Sequence, residues 1–173
     1  MASAPVVALT STLVARVPGI GMRDTQIMAL ADTATEVPQG ELTLRTLAMP
    51  ADTNPSGDIF GGWLMGQMDI AGGIAAGQRA QGRVATVAVD GFIFHKPVHV
   101  GDVVCCYTEI SKTGTTSVTV RVQAWALRGR IEGSQVKVTE GMFTFVALDA
   151  DGQKRSVNVP GPDAFKPLGG IVP

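Results

Sequence analysis

The chain has 173 residues, 45% of them apolar and 17% charged, with 21 glycines and a formal net charge of −1. Soluble domains average about 25% charged residues and about 7% glycine, so this chain is short of charge and rich in glycine. The length suits one domain with a real core, the apolar content argues against a disordered chain, and the near-neutral charge argues against a binder that tracks nucleic-acid phosphates.

Residues 1–40 lack sustained periodicity and close on Val37-Pro38-Gln39-Gly40, so they read as an N-terminal extension, expected to be disordered. The longest charge-free run, Met1 to Ala15, is broken by Pro5, Ser11 and Thr12 and falls short of the roughly 18 apolar residues of a membrane span. It also lacks the basic n-region of a secretory signal. Order begins at Glu41, where Leu42 and Leu44 alternate with Thr43 and Arg45 as in a strand. Met49 to Asp58 is dense in turn residues and reads as a loop. Gly61 to Ala80 has no proline and few β-branched residues, which predicts a helix about 30 Å long. Four strands follow: Val84 to Phe94, Asp102 to Ile110, Thr115 to Ala126 and Gln135 to Leu148. Their short connections suggest antiparallel neighbours in sequence order. The reading is an α+β domain over residues 41–156, an antiparallel sheet with one helix on a face, then a Pro/Gly-rich tail over 157–173. The only cysteines, Cys105 and Cys106, are adjacent, too few and too close for a disulfide framework or a zinc site; they fit a cytoplasmic address.

The helix is unusual in its glycines, each costing about 1 kcal/mol against alanine in a helix interior. Plotted at 100° per residue, Gly62, Gly66, Gly72, Gly73 and Gly77 fall on the side of Asp69, which has no basic residue three or four positions away. One reading is close packing against a sheet or a partner, with Asp69 turned to water. The other is a slot for an extended ligand beside a general base. It rests on Met65, Met68, Ile70 and Ile74, which suggest a helix buried around most of its girth, and a buried carboxylate without a partner is how such bases are made. Ahead of the helix, Asp52 to Asp58 mimics a calcium loop but has Trp63 where the bidentate acid belongs, so no metal is expected. Asn54 before Pro55 can shape an Asx turn or orient a water or carbonyl. Gly61 and Gly62 open the helix, where free N–H groups can serve as an oxyanion hole.

The stretches TLAMPADTNPSGDIFGGWLMGQMD, GRVATVAVDGFIFHKPVHVGDVVCCY and KTGTTSV resemble the YciA-type acyl-CoA thioesterases of the hotdog fold and, more distantly, the brain acyl-CoA hydrolase group. The resemblance spans Glu41 to Ser156. It implies a sheet wrapped around one central helix, hydrolysis of fatty acyl-CoA to fatty acid and CoA, and homodimers with sites between chains, often assembled as trimers of dimers. It places the catalytic acid at Asp69, acting as general base or nucleophile. It places a positioning asparagine at Asn54, reaching in from the partner subunit, and the oxyanion donors at Gly61 and Gly62. Pro55 stands where the family more often carries alanine or asparagine, and residues 1–40 extend beyond its usual start. For the CoA moiety the candidates are Arg83, Lys96, Lys112 and the turn Thr115-Thr116-Ser117, with the pantetheine arm along Thr86 and Val87. No cofactor is expected, because a thiolate leaves readily without a metal. His95 and His99 read as structural or surface residues. Two alternatives stay open: a non-catalytic acyl-CoA-binding module, and a hotdog dehydratase. Regulation through DNA finds no support, since residues 1–40 hold only Arg16 and Arg23 as basic groups.

Overall fold

The computed structural model describes residues 36–129 and 134–161. The extension expected over residues 1–40 therefore lies outside the described residues up to Thr35, and the C-terminal tail does so from residue 162.

The elements run β1 (Glu41–Leu47), a one-turn 3₁₀ helix (Pro50–Asp52), α1 (Gly61–Ala80), β2 (Val84–Phe94), β3 (Val103–Thr113), β4 (Ser117–Arg128) and β5 (Ser134–Ala147). The five strands form one antiparallel sheet in the order β1-β3-β4-β5-β2. This is the antiparallel sheet around a single long helix expected of a hotdog fold. One expectation fails: β2 and β3 are not neighbours. Pro97 has no N–H to continue a ladder, and residues 95–102 carry the chain past β5 and β4 to the other side of the sheet, where β3 pairs with β1.

The alternation in β4 turns Val118, Val120, Val122, Ala124 and Ala126 to one face, and all five are fully buried. They meet Leu64, Met68, Ala71, Gly72 and Ala76 of α1, with Phe143 and Phe145 of β5 filling the space between. Each such valine contributes about 1.5–3 kcal/mol through burial. Gly72 sets the helix-to-sheet distance, because a Cβ there would stand 3.0 Å from the Phe145 ring and 3.3 Å from Val122. The helix ends at Gln81, which adopts φ 47°. Arg155 closes that end, donating from Nη2 to Ala80 O (2.9 Å) and from Nε to Leu148 O (2.9 Å).

Both ends of the domain run past the bounds read from sequence. Gln39 N–H donates to Gln123 Oε1 (3.0 Å), and Lys137 pairs with Glu36 (2.6 Å) and Glu140 (3.2 Å), so residues 36–40 lie on the outer face of the sheet. Val157 is buried, its N–H donates to Thr115 O, and Gly161 N–H donates to Gln81 O. Among the described residues no helix is long and apolar enough to cross a membrane.

Candidate active site

Asp69 sits midway along α1, on the flank that faces the edge strand β2 rather than the sheet centre. It is half-buried and has a partner: the Thr86 hydroxyl donates to Asp69 Oδ1 at 2.6 Å. This corrects the expectation of a buried, unpartnered acid. Thr86 opposes Phe145 across the β2–β5 ladder, which turns its side chain to the helix side of the sheet. A register shift between Thr86 and Ala88 follows at once and leaves Val87 exposed. The expectation of a helix buried around most of its girth is corrected too. Met68 is buried, but Met65, Ile70 and Ile74 are exposed in the single chain.

The glycines of α1 divide between the two readings. Gly72 packs under Phe145 and Val122, and a Cβ on Gly73 would reach Phe145 at 3.6 Å. A Cβ on Gly66 would meet nothing within 4 Å. The stripe is therefore close packing toward its C-terminal half and open space at Gly66, one turn before Asp69.

At the other end of α1, Trp63 and Leu64 N–H both return to Phe60 O, which leaves Gly61 and Gly62 N–H as the free donors of the first turn. Among the described residues no side chain caps this end, and no acid occupies the first turn, so nothing described there offsets its positive dipole end. Both glycines lie against aromatic rings: a Cβ would stand 3.1 Å from Phe94 Cζ at Gly61, and 2.8 Å from Phe60 Cε1 at Gly62. Beside them lies a cavity of about 350 Å³ lined by Ile59, Gly61, Phe94, His95, Lys96 and Pro97.

Asn54 shapes the preceding loop as an Asx turn. Its Oδ1 accepts from Ser56 N–H (2.9 Å) and Asp58 N–H (3.2 Å), and its own N–H donates to Asp58 O (2.7 Å). Only the Nδ2 amide is left to act outward, and it can only donate. In the same calcium-like stretch Asp52 Oδ2 accepts from Met49 N–H at 2.9 Å. No cluster of three His, Cys, Asp or Glu side chains is placed to hold a metal among the described residues.

The remaining candidates split between the ends of the molecule. Lys96 and His95 line the cavity at the helix N-terminus. Arg83 and Thr115 to Ser117 lie at the opposite end, where Arg83 O accepts from Leu148 N–H and Thr116 O from Ala147 N–H. Val87 is on the exposed β2 edge, and His99 N–H donates to Asp102. Within one chain these groups do not converge. Sequence reasoning placed Thr86 along a substrate path and missed it as the partner of Asp69. The available signal was a hydroxyl opening the strand that follows the helix.

The Thioesterase superfamily model matches residues 56–132. The acyl-CoA thioester hydrolase YciA of Salmonella typhimurium is 55% identical over 131 residues, covering 75% of this chain and 98% of that protein. A hexameric thioesterase of Yersinia pestis superposes with a TM-score of 0.67 at 56% identity, over 71% of this chain and 99% of its own. An acyl-CoA hydrolase of Staphylococcus aureus, solved with butyryl-CoA and CoA, aligns with a TM-score of 0.61 at 32% identity, over 68% of this chain and 70% of that one. That protein has also been solved with one aspartate, and separately with the threonine seventeen positions after it, changed to alanine. Asp69 and Thr86 have the same separation.

Proposed function

The chain belongs to the YciA family of the thioesterase superfamily, and we propose that it hydrolyses acyl-CoA to a carboxylic acid and free CoA at a site shared by two copies of the chain. The observation that carries this reading is the Thr86–Asp69 hydrogen bond on the flank of α1 beside the free sheet edge.

Asp69 takes a proton from water as the water oxygen attacks the thioester carbon. The tetrahedral oxyanion is held by the free N–H groups of Gly61 and Gly62, in a site where donors are already oriented. The C–S bond then breaks, and the leaving thiolate recovers the proton from Asp69. A thiolate leaves without Lewis-acid help, so the chemistry requires no metal. Thr86 fixes one carboxylate oxygen, leaving the other for the water. The Asn54 amide donates to the water or the carbonyl.

The two halves of this machinery must come from different chains. Asp69 lies eight residues beyond Gly61, about 12 Å along the helix axis at 1.5 Å per residue. No single thioester carbon touches both. A second copy running antiparallel brings its own helix N-terminus and Asn54 beside this chain's Asp69. The edge to receive it is present: among the described residues β2 has no neighbour on its outer side and exposes Val87, Val89, Ile93 and Phe94. An exposed apolar edge strand is a template for pairing. We infer a homodimer through β2, with three dimers forming a hexamer as the Yersinia relative is hexameric. We infer a cytoplasmic location, in which the buried thiols Cys105 and Cys106 stay reduced.

The test is release of free thiol from acyl-CoAs of several chain lengths. General-base loss typically costs 10²–10⁴ in rate, so Asp69→Asn should fold and assemble normally and lose at least about 10²-fold in turnover. Full activity in that variant ends the assignment. Hydration of an enoyl-CoA by the wild type would identify a dehydratase, and tight binding without turnover a sensor.

A further inference from the structure

The segment joining β2 to β3 has no regular structure, yet its backbone is held almost throughout. The buried Thr139 hydroxyl donates to Ile93 O at 2.6 Å. His95 N–H (2.8 Å) and Lys96 N–H (3.4 Å) donate to Val138 O, and Ile59 N–H donates to Val98 O (3.4 Å). The last hold comes from the end of β4. Arg128 donates from Nε to Asp102 Oδ2 at 3.1 Å and from Nη2 to Pro97 O, and the same carboxylate oxygen accepts from His99 N–H at 3.0 Å. The Asp102 side chain is only 9% exposed.

A solvated turn needs none of this, because water satisfies its carbonyls. What the held segment presents outward is the wall of the cavity at the helix N-terminus: His95, Lys96 and Pro97. Lys96 forms no ion pair among the described residues. We propose that Arg128, anchored on Asp102, is a positioning residue that holds the Pro97 carbonyl and thereby fixes Lys96 at the mouth of the cavity to meet the anionic CoA moiety. The inference rests on the thioesterase reading of that site. Arginine suits the task because its rigid planar fork aims Nε and Nη2 at two separate acceptors in fixed directions, where lysine offers one point charge on a flexible stem. A segment ordered beforehand loses little conformational freedom when substrate binds.

The full-length protein is assayed for turnover of acyl-CoA and, separately, for calorimetric binding of CoA. The proteins are wild type, Arg128→Lys, Lys96→Met and the double variant, with Asp102→Asn as a second route to the same break. Arg128→Lys should raise KM and the CoA Kd about tenfold, with kcat within twofold of wild type and the oligomer intact. The double variant should be no worse than Lys96→Met alone, because residues acting through one another do not add. Losses that multiply in the double variant, or an unchanged CoA Kd in both Arg128→Lys and Asp102→Asn, overturn the proposal. A wild type that binds CoA but releases none strikes the thioesterase reading instead, and the binding arm still decides this one.

Discussion

Gly72 and Gly66 stand on one helix 9 Å apart along its axis by the usual rise of about 1.5 Å per residue, yet alanine at the two positions should act in opposite directions. Alanine in a helix interior is favoured over glycine by about 1 kcal/mol. At Gly72 the new methyl would stand 3.0 Å from two Phe145 ring atoms and 3.3 Å from Val122 Cγ2. Phe145 and Val122 are buried in the centre of the core, so neither yields without shifting β4 or β5. Overpacking of this kind costs about 1–3 kcal/mol. The net expectation is a destabilisation of about 1 kcal/mol. At Gly66 no atom lies within 4 Å of the methyl, so the helix preference acts unopposed and the single chain gains about 1 kcal/mol. Denaturant unfolding at fixed protein concentration should separate the two variants by about 2 kcal/mol. Turnover of acyl-CoA then tells whether the space before Asp69 is used. Gly66→Ala, more stable yet slower, identifies that space as part of the substrate slot. A stabilised Gly72→Ala refutes the packing argument, since it would mean that Phe145 has room to move.

Three further outcomes follow from the same structure. Thr86→Val keeps the shape of the side chain but removes the hydrogen bond to Asp69; such bonds to charged groups are worth about 1.5–3 kcal/mol, so kcat should fall about 10- to 150-fold, and Thr86→Ser should restore it. Burial, reinforced by neighbouring Cys105, pushes the Cys106 thiol up to about 12. The native protein should therefore leave both thiols unreacted with a disulfide reagent at pH 8 and yield both after denaturation, and fast native labelling would contradict the burial. On the outer sheet face, burial disfavours the charged forms of Lys137 and Glu140, but their mutual pairing, with Glu36, Gln123 and Arg121 around them, outweighs it. The Lys137 pKa is raised and that of Glu140 lowered. The lysine's contribution to stability is full below its ordinary range and is lost as pH rises through the raised value; the glutamate's is full above its ordinary range and is lost as pH falls through the lowered value. Lys137→Met should cost under about 1 kcal/mol between about pH 5 and 10, because the carboxylates it pairs with are open to solvent, and the difference from wild type should shrink at both extremes.

The helix was legible to the residue, Gly61–Ala80, because its limits are set by local chemistry: a Gly-Gly opening, no proline, and Gln81-Gly82 turning left-handed at the close. The burial of alternate residues in β4 was legible for the same reason. The neighbours of β2 were not. A short connection ordinarily means adjacency, but here Pro97 and the clamp by Arg128 and Asp102 carry the chain past two strands, and pairings distant in sequence leave no local trace. The half-exposure of Met65, Ile70 and Ile74 was hidden too. A sequence marks these residues as apolar, and only the fold says whether the chain itself or a second copy covers them. Thr86 escaped as the partner of Asp69 because the bond crosses from helix to strand.

The shortage of charge and the split of the site have one physical origin. Among the described residues β2 has no strand on its outer side and exposes Val87, Val89, Ile93 and Phe94, an apolar edge on which Asp90 is the one charged residue. Two sets of groups carry the proposed mechanism, each incomplete within one chain. One is the uncapped helix N-terminus with Asn54 and Lys96, which supplies donors and a cation. The other is Asp69 with Thr86, which supplies a base. Helix geometry keeps them apart within a chain, and in the proposed dimer a two-fold axis through the β2 edge would join each set to its complement in the partner. Desolvation by that second chain would act on the acid and on the oxyanion donors at once, strengthening every electrostatic interaction in the site. The glycines complete the logic: those under Phe145 let the helix lie close to the sheet, and Gly66, one turn before Asp69, keeps the space there open. On the proposed reading, association is the step that assembles the catalytic groups, and the apolar edge that drives it is part of the active site.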